Sequence, residues 1–106
     1  MIPLSKPALM MSVSLLVVSA PAFSNPALAT KQGCLGCHAV ATKLVGPSYQ
    51  DVAAKYAGEK DAVDRLVKSI RSGGSGKWGD VPMPPQAQLS EADAKRLATW
   101  ILGGSK

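Results

Sequence analysis

The hydropathy pattern of the chain changes near residue 25. Before that point residues 7–20 (PALMMSVSLLVVSA) form one apolar block without a charge. Beyond it, apolar positions recur at helical spacing. Tyr49, Val52, Ala53 and Tyr56 fall at i, i+3, i+4 and i+7 and predict a helix over 48–57, with Gly58 as its stop. Val63, Leu66, Val67 and Ile70 repeat the pattern and predict a helix over 61–71, opened by Asp61 as N-cap and ended by Gly73-Gly74. Ala94, Leu97, Ala98 and Ile101 share one face of a helix predicted over 91–102. Ser90 and Asp93 stand at capping-box spacing before it, and Gly103-Gly104 closes it. A short helix over 26–33 is expected to run straight into Cys34. No segment alternates as a strand, so the fold class is all-α.

The apolar block has the layout of a secretory leader. Lys6 supplies a positive start, 7–20 the apolar middle, and Ser19, Ala20, Ala22 and Ser24 the small residues that a signal peptidase needs at its exit. Cleavage is expected after Ser24, with Ala22 as the alternative, giving a leader over 1–24 and one domain over 25–106. An uncleaved anchor is disfavoured, since a spanning helix needs about 20 apolar residues and this block is shorter and bracketed by Pro7 and Pro21. No membrane span is expected in the mature protein.

A domain of about 82 residues lies near the lower limit for a self-sufficient core. Past the leader its large aromatics are Tyr49, Tyr56, Trp78 and Trp100. Domains this small need a disulfide, metal or cofactor as a staple, and two cysteines three positions apart close no long loop. Net charge is +5; without Lys6, eleven basic and seven acidic side chains remain, giving +4. The basic residues are scattered rather than clustered, which argues against nucleic acid and for docking on acidic protein surfaces.

Cys34-Leu35-Gly36-Cys37-His38 is the pattern of c-type haem attachment. Two intervening residues let one helical turn present both thiols to two vinyl groups, and the histidine then offers an imidazole to the iron. A thioredoxin-like pair would sit beside a βαβ pattern, which is missing here. A structural zinc site wants four Cys or His ligands, and past the leader the chain offers three. The staple is therefore read as one haem c, held by Cys34 and Cys37 and ligated by His38.

The second axial ligand follows by elimination. His38 is the only histidine, and Met83 is the only methionine beyond the leader. Met83 sits in Val81-Pro82-Met83-Pro84-Pro85, within a Gly- and Pro-rich loop over 72–89. Prolines on both sides fix φ and stiffen the strap. A loop this long in a small domain is usually functional.

The segments CLGCH, LVGPSYQDVAAKYAG, GKWGDVPMPP and AKRLATWIL, in this order and spacing, resemble the small bacterial class I cytochromes c of the cytochrome c-552 type. The resemblance covers essentially all of 25–106. It implies four to five short helices wrapped around one covalently attached haem, and His/Met ligation through His38 and Met83. It also implies that the Pro47 carbonyl accepts from His38 Nδ1 and that Trp78 donates to a haem propionate. The sequence departs from the family's pattern at Ser69, where a basic residue is common; Lys68 stands one position earlier.

Two protein ligands leave iron no position for substrate, so the expected activity is one-electron transfer rather than catalysis. The implied protein is a periplasmic, monomeric carrier of a respiratory chain, shuttling between a quinol-oxidising complex and a terminal oxidase or nitrogen-oxide reductase. A peroxidase or a gas sensor would need an open iron position, and a sensor also an output domain. Lys31, Lys43 and Lys77 are expected to guide docking on acidic partners.

Overall fold

The structure is a computed structural model; it describes residues 2–5, 7–15 and 25–106. The cleavage positions at Ala22 and Ser24, with the small residues before them, lie outside the described residues. Four helices are present among those described: α1 (Asn25–Lys31), α2 (Tyr49–Tyr56), α3 (Ala62–Ser72) and α4 (Glu91–Leu102). A single 3-10 turn, Cys34–Gly36, carries the attachment motif. Extended pairing among the described residues is limited to one antiparallel bridge, Gly74 with Met83. No described helix is long and apolar enough to cross a membrane.

The helix α4 is the centre of the fold, packing against α1, α2 and α3. Its Ala94 and Ala98 are fully buried, one turn apart, and let neighbouring helices approach closely. Leu97, Trp100 and Ile101 complete its buried face, against Leu28 and Ala29 of α1, Val52 of α2 and Leu66 and Ile70 of α3. The 3.6-residue spacing read from the sequence is the spacing of these buried positions.

Helix ends follow local chemistry, with two departures from expectation. Ser48 and Ser90 cap α2 and α4, their hydroxyls accepting from Asp51 N and Asp93 N at 3.1 Å each. Asp61 stands at the N-cap of α3, but its side chain makes no capping bond. Glu59, two residues earlier, instead pairs with Arg65 across that helix start. The first helix does not run into Cys34. It ends at Lys31, and Gly33 in a left-handed conformation (φ 75°) separates it from the 3-10 turn.

Candidate haem site

The site is built around His38. The 3-10 turn closes through Cys37 N to Cys34 O (3.2 Å) and His38 N to Cys34 O (2.9 Å), so both thiols and the imidazole leave one tight turn. The chain then loops and returns against itself, Gly46 N donating to Cys37 O at 2.7 Å. That return brings the Pro47 carbonyl oxygen 2.8 Å from His38 Nδ1. A Cβ at Gly46 would stand 2.5 Å from His38 Cε1 and 2.8 Å from Nδ1, so only glycine fits there. On α2, Tyr49 stacks on the imidazole with centroids 5.4 Å apart and planes at 21°. Trp100 meets Tyr49 edge-on at 5.5 Å, joining the histidine to the core through two aromatic rings.

Burial shifts two groups beside this turn. Desolvation pushes the Cys34 thiol above its ordinary range, outweighing the backbone and Tyr49 hydrogen bonds that favour the thiolate. Burial also raises Tyr49, with the Cys34 charge adding to it, so its phenol stays neutral well into alkaline conditions.

The loop between α3 and α4 carries Met83, the other residue expected at the iron. Gly73, at φ 69°, turns the chain out of α3, and a Cβ there would meet the Met83 carbonyl oxygen at 2.5 Å. Gly74 and Met83 exchange two backbone bonds, Gly74 N to Met83 O (3.1 Å) and Met83 N to Gly74 O (2.8 Å). The strap that carries Met83 is thus tied to Gly74, just past the end of α3, by two backbone bonds. Trp78 is exposed rather than part of the core, and Lys55 Nζ lies 4.4 Å from its ring centroid. Lys77, expected as a docking cation, is engaged: its Nζ donates to Tyr56 Oη at 2.6 Å.

The sequence-derived residues therefore fall into two groups at opposite ends of α2. Cys34, Cys37, His38 and Pro47 gather near its first residue, Tyr49. Lys77 and Trp78 gather near its last, Tyr56, on the loop that also carries Met83. Gly46 and Tyr49 as partners of the histidine were not singled out from the sequence. Tyr49 was legible only as a core position, and Gly46 carried no signal beyond standing before Pro47.

These residues fit a haem. Leu35, Leu44, Val45, Trp78 and Val81 are large apolar side chains exposed on the attachment turn, the return loop and the strap. A flat apolar macrocycle is the kind of surface that would cover them. The buried Trp100 Nε1 donor has no hydrogen-bond partner among the described residues. Donors of this kind are met by bound water or by an acceptor on a prosthetic group.

Comparison with known proteins agrees. A family model described as Cytochrome c matches residues 26–105. The chain belongs to the cytochrome c family. It is 59% identical over 80 residues to cytochrome c-552 of Hydrogenobacter thermophilus, covering 76% of this chain and 81% of that one. It is 50% identical over 91 residues to cytochrome c-552 of Nitrosomonas europaea, covering 86% and 88%. The crystal structure of wild-type Nitrosomonas europaea cytochrome c552 superimposes with a TM-score of 0.71 at 53% identity, covering 73% of this chain and 95% of that one. This member of the cytochrome c family is a small class I monohaem protein with one covalently attached haem c, and it is an electron carrier rather than an enzyme.

Proposed function

We propose that the chain is exported, loses residues 1–24, and works in the periplasm as a monomeric one-electron shuttle whose domain is 25–106. Cys34 and Cys37 would form the thioethers, His38 and Met83 would be the axial ligands, and Trp78 would face a propionate. Its partners would be a quinol-oxidising complex on one side and a terminal oxidase or nitrogen-oxide reductase on the other, met through acidic docking surfaces.

The observation that carries this reading is the 2.8 Å contact between His38 Nδ1 and the Pro47 carbonyl. A carbonyl oxygen only accepts, so Nδ1 must hold the proton and donate it. The lone pair then sits on Nε2, the nitrogen left for a metal, and the bond raises its basicity. The Gly46 backbone and the Tyr49 ring restrict the plane of the imidazole. On the loop before α4, prolines 82, 84 and 85 and the Gly74 bonds hold the Met83 backbone. Two rigidly held ligands would suit a carrier, since little geometry would need to change between its two oxidation states. A haem bound there supplies the electron itself, at a potential that a neutral thioether ligand raises.

The test is spectroscopic. Ferric protein should show the weak far-red absorption of sulfur–iron coordination, and carbon monoxide added to ferrous protein should leave the spectrum unchanged. Met83→Ala should abolish the far-red band, lower the potential and admit carbon monoxide. Retention of the band in Met83→Ala, or carbon monoxide binding by the unaltered protein, would remove Met83 from the iron. The exported protein should begin at Asn25, or at Phe23 if cleavage follows Ala22.

A further inference from the structure

The two halves of the loop between α3 and α4 are anchored by different means. The half that follows Met83 is tied to α3, with Gln86 N donating to Ile70 O at 3.0 Å and Arg71 Nε to Leu89 O at 3.2 Å. Leu89 is also buried in the core, so this half has an apolar anchor. The half before Met83 has none: every residue over 75–82 is exposed. Its internal turn rests on one backbone bond, Gly76 N to Gly79 O at 2.9 Å.

What joins this exposed half to the helices is a reciprocal pair of lysine contacts. Lys55, near the end of α2, donates through Nζ to the Lys77 carbonyl at 3.1 Å and lies over the Trp78 ring. Lys77, on the loop, donates back to Tyr56 Oη at 2.6 Å, with its Nζ 4.9 Å from that ring's centroid. Tyr56 is a firm post, since its body is buried and the Arg65 guanidinium stands 5.5 Å from its ring.

We propose that Lys55 and Lys77 are positioning residues that latch 76–81 onto the last turn of α2 and thereby hold Trp78 and Met83 in register for the haem. This rests on the reading of Met83 as an iron ligand. Segments with few buried contacts and solvent-exposed backbone bonds open locally well below the free energy of global unfolding. A loop carrying four glycines and two serines over 72–79 is such a segment. The latch acts on that local opening. It does not depend on the core of α4, so its loss should be felt in the loop and not in the helix.

The experiment compares holoprotein of the unaltered chain with Tyr56→Phe, Lys77→Met, Lys55→Met and the double variant Tyr56→Phe/Lys77→Met. Phe keeps the ring and removes the acceptor; Met keeps the aliphatic stem and removes the ammonium. The first readout is amide exchange at Gly76, taken relative to Leu97 in α4. The second is the rate at which imidazole displaces the far-red band of ferric protein. Each single variant should raise both by about five-fold, the scale of one lost hydrogen bond. The Tyr56→Phe/Lys77→Met double should be no faster than Lys77→Met alone, because that variant already removes the bond that Tyr56→Phe removes. Unchanged Gly76 exchange in all the singles would overturn the latch, as would effects that multiply in the double. Faster exchange with unchanged imidazole entry would overturn its role in holding Met83. If the unaltered protein lacks the far-red band, the Met83 reading fails, and the exchange measurement still decides the latch.

Discussion

His38 meets the Pro47 carbonyl through Nδ1 at 2.8 Å, nine residues along the chain, and the ring lies so close to Gly46 beside that proline that a Cβ there would clash with it. The bond and the glycine act together, one attracting the imidazole and the other shaping the place where it rests. Gly46→Ala should therefore turn the ring or push the return loop away. Forcing a methyl into such a contact costs about 1–3 kcal/mol. Equilibrium unfolding of the holoprotein should show a loss in that range, with a shifted reduction potential. An unchanged potential together with unchanged stability would mean that the loop yields freely.

Attachment depends on both thiols leaving one 3-10 turn. The mature protein should carry one haem in intact mass, and acidified solvent should fail to extract it. Cys34→Ala and Cys37→Ala should each leave at most one thioether, and His38→Ala should lose the low-spin spectrum. A native haem-free protein bearing a Cys34–Cys37 disulfide would contradict this assignment.

Tyr49 gives a pH prediction with a definite sign. Burial, the largest cause and the one that persists once Cys34 is a thioether, raises its folded-state value above the ordinary phenol value of about 10. Between those two values the unfolded chain has released its proton and the folded chain has not. Stability must then fall as pH rises through that window, and is unaffected by this group below it. With Tyr56→Phe, Tyr49 is the only tyrosine left. Its ultraviolet titration should coincide with alkaline unfolding. Reversible ionisation near pH 10 with helicity intact would show that the phenol is not shielded.

Docking on acidic partners should be local and sensitive to salt. Lys43 is exposed on the loop after the attachment motif, whereas Lys77 is held by Tyr56. Lys43→Gln should weaken the ionic-strength dependence of electron transfer to an acidic redox protein and leave the spectrum unaltered. Screening over a Debye length of about 10 Å at 0.1 M salt sets the range of the effect. Stopped-flow rates indifferent both to salt and to this substitution would point instead to docking on an apolar patch around the haem edge.

The sequence by itself determined the features that depend on near neighbours in the chain. Periodicity placed α2, α3 and α4, because a helix buries positions three and four apart whatever it packs on. Five consecutive residues, Cys34–His38, specified the cofactor, because covalent attachment needs that spacing and nothing distant. Family resemblance pointed to Pro47, and the fold placed its carbonyl on the histidine. Only the tertiary structure could decide contacts whose partners lie far apart in sequence. It put Tyr49 on His38, Trp100 on Tyr49 and Lys77 on Tyr56, 21 residues away. It also tied the Lys77 ammonium to Tyr56 and left Trp78 exposed beneath Lys55. A lysine's role is set by what its long stem can reach, and local sequence is silent on that. The same holds for Gly46, whose lack of a side chain acquires meaning only once an imidazole lies 2.5 Å from where a Cβ would stand.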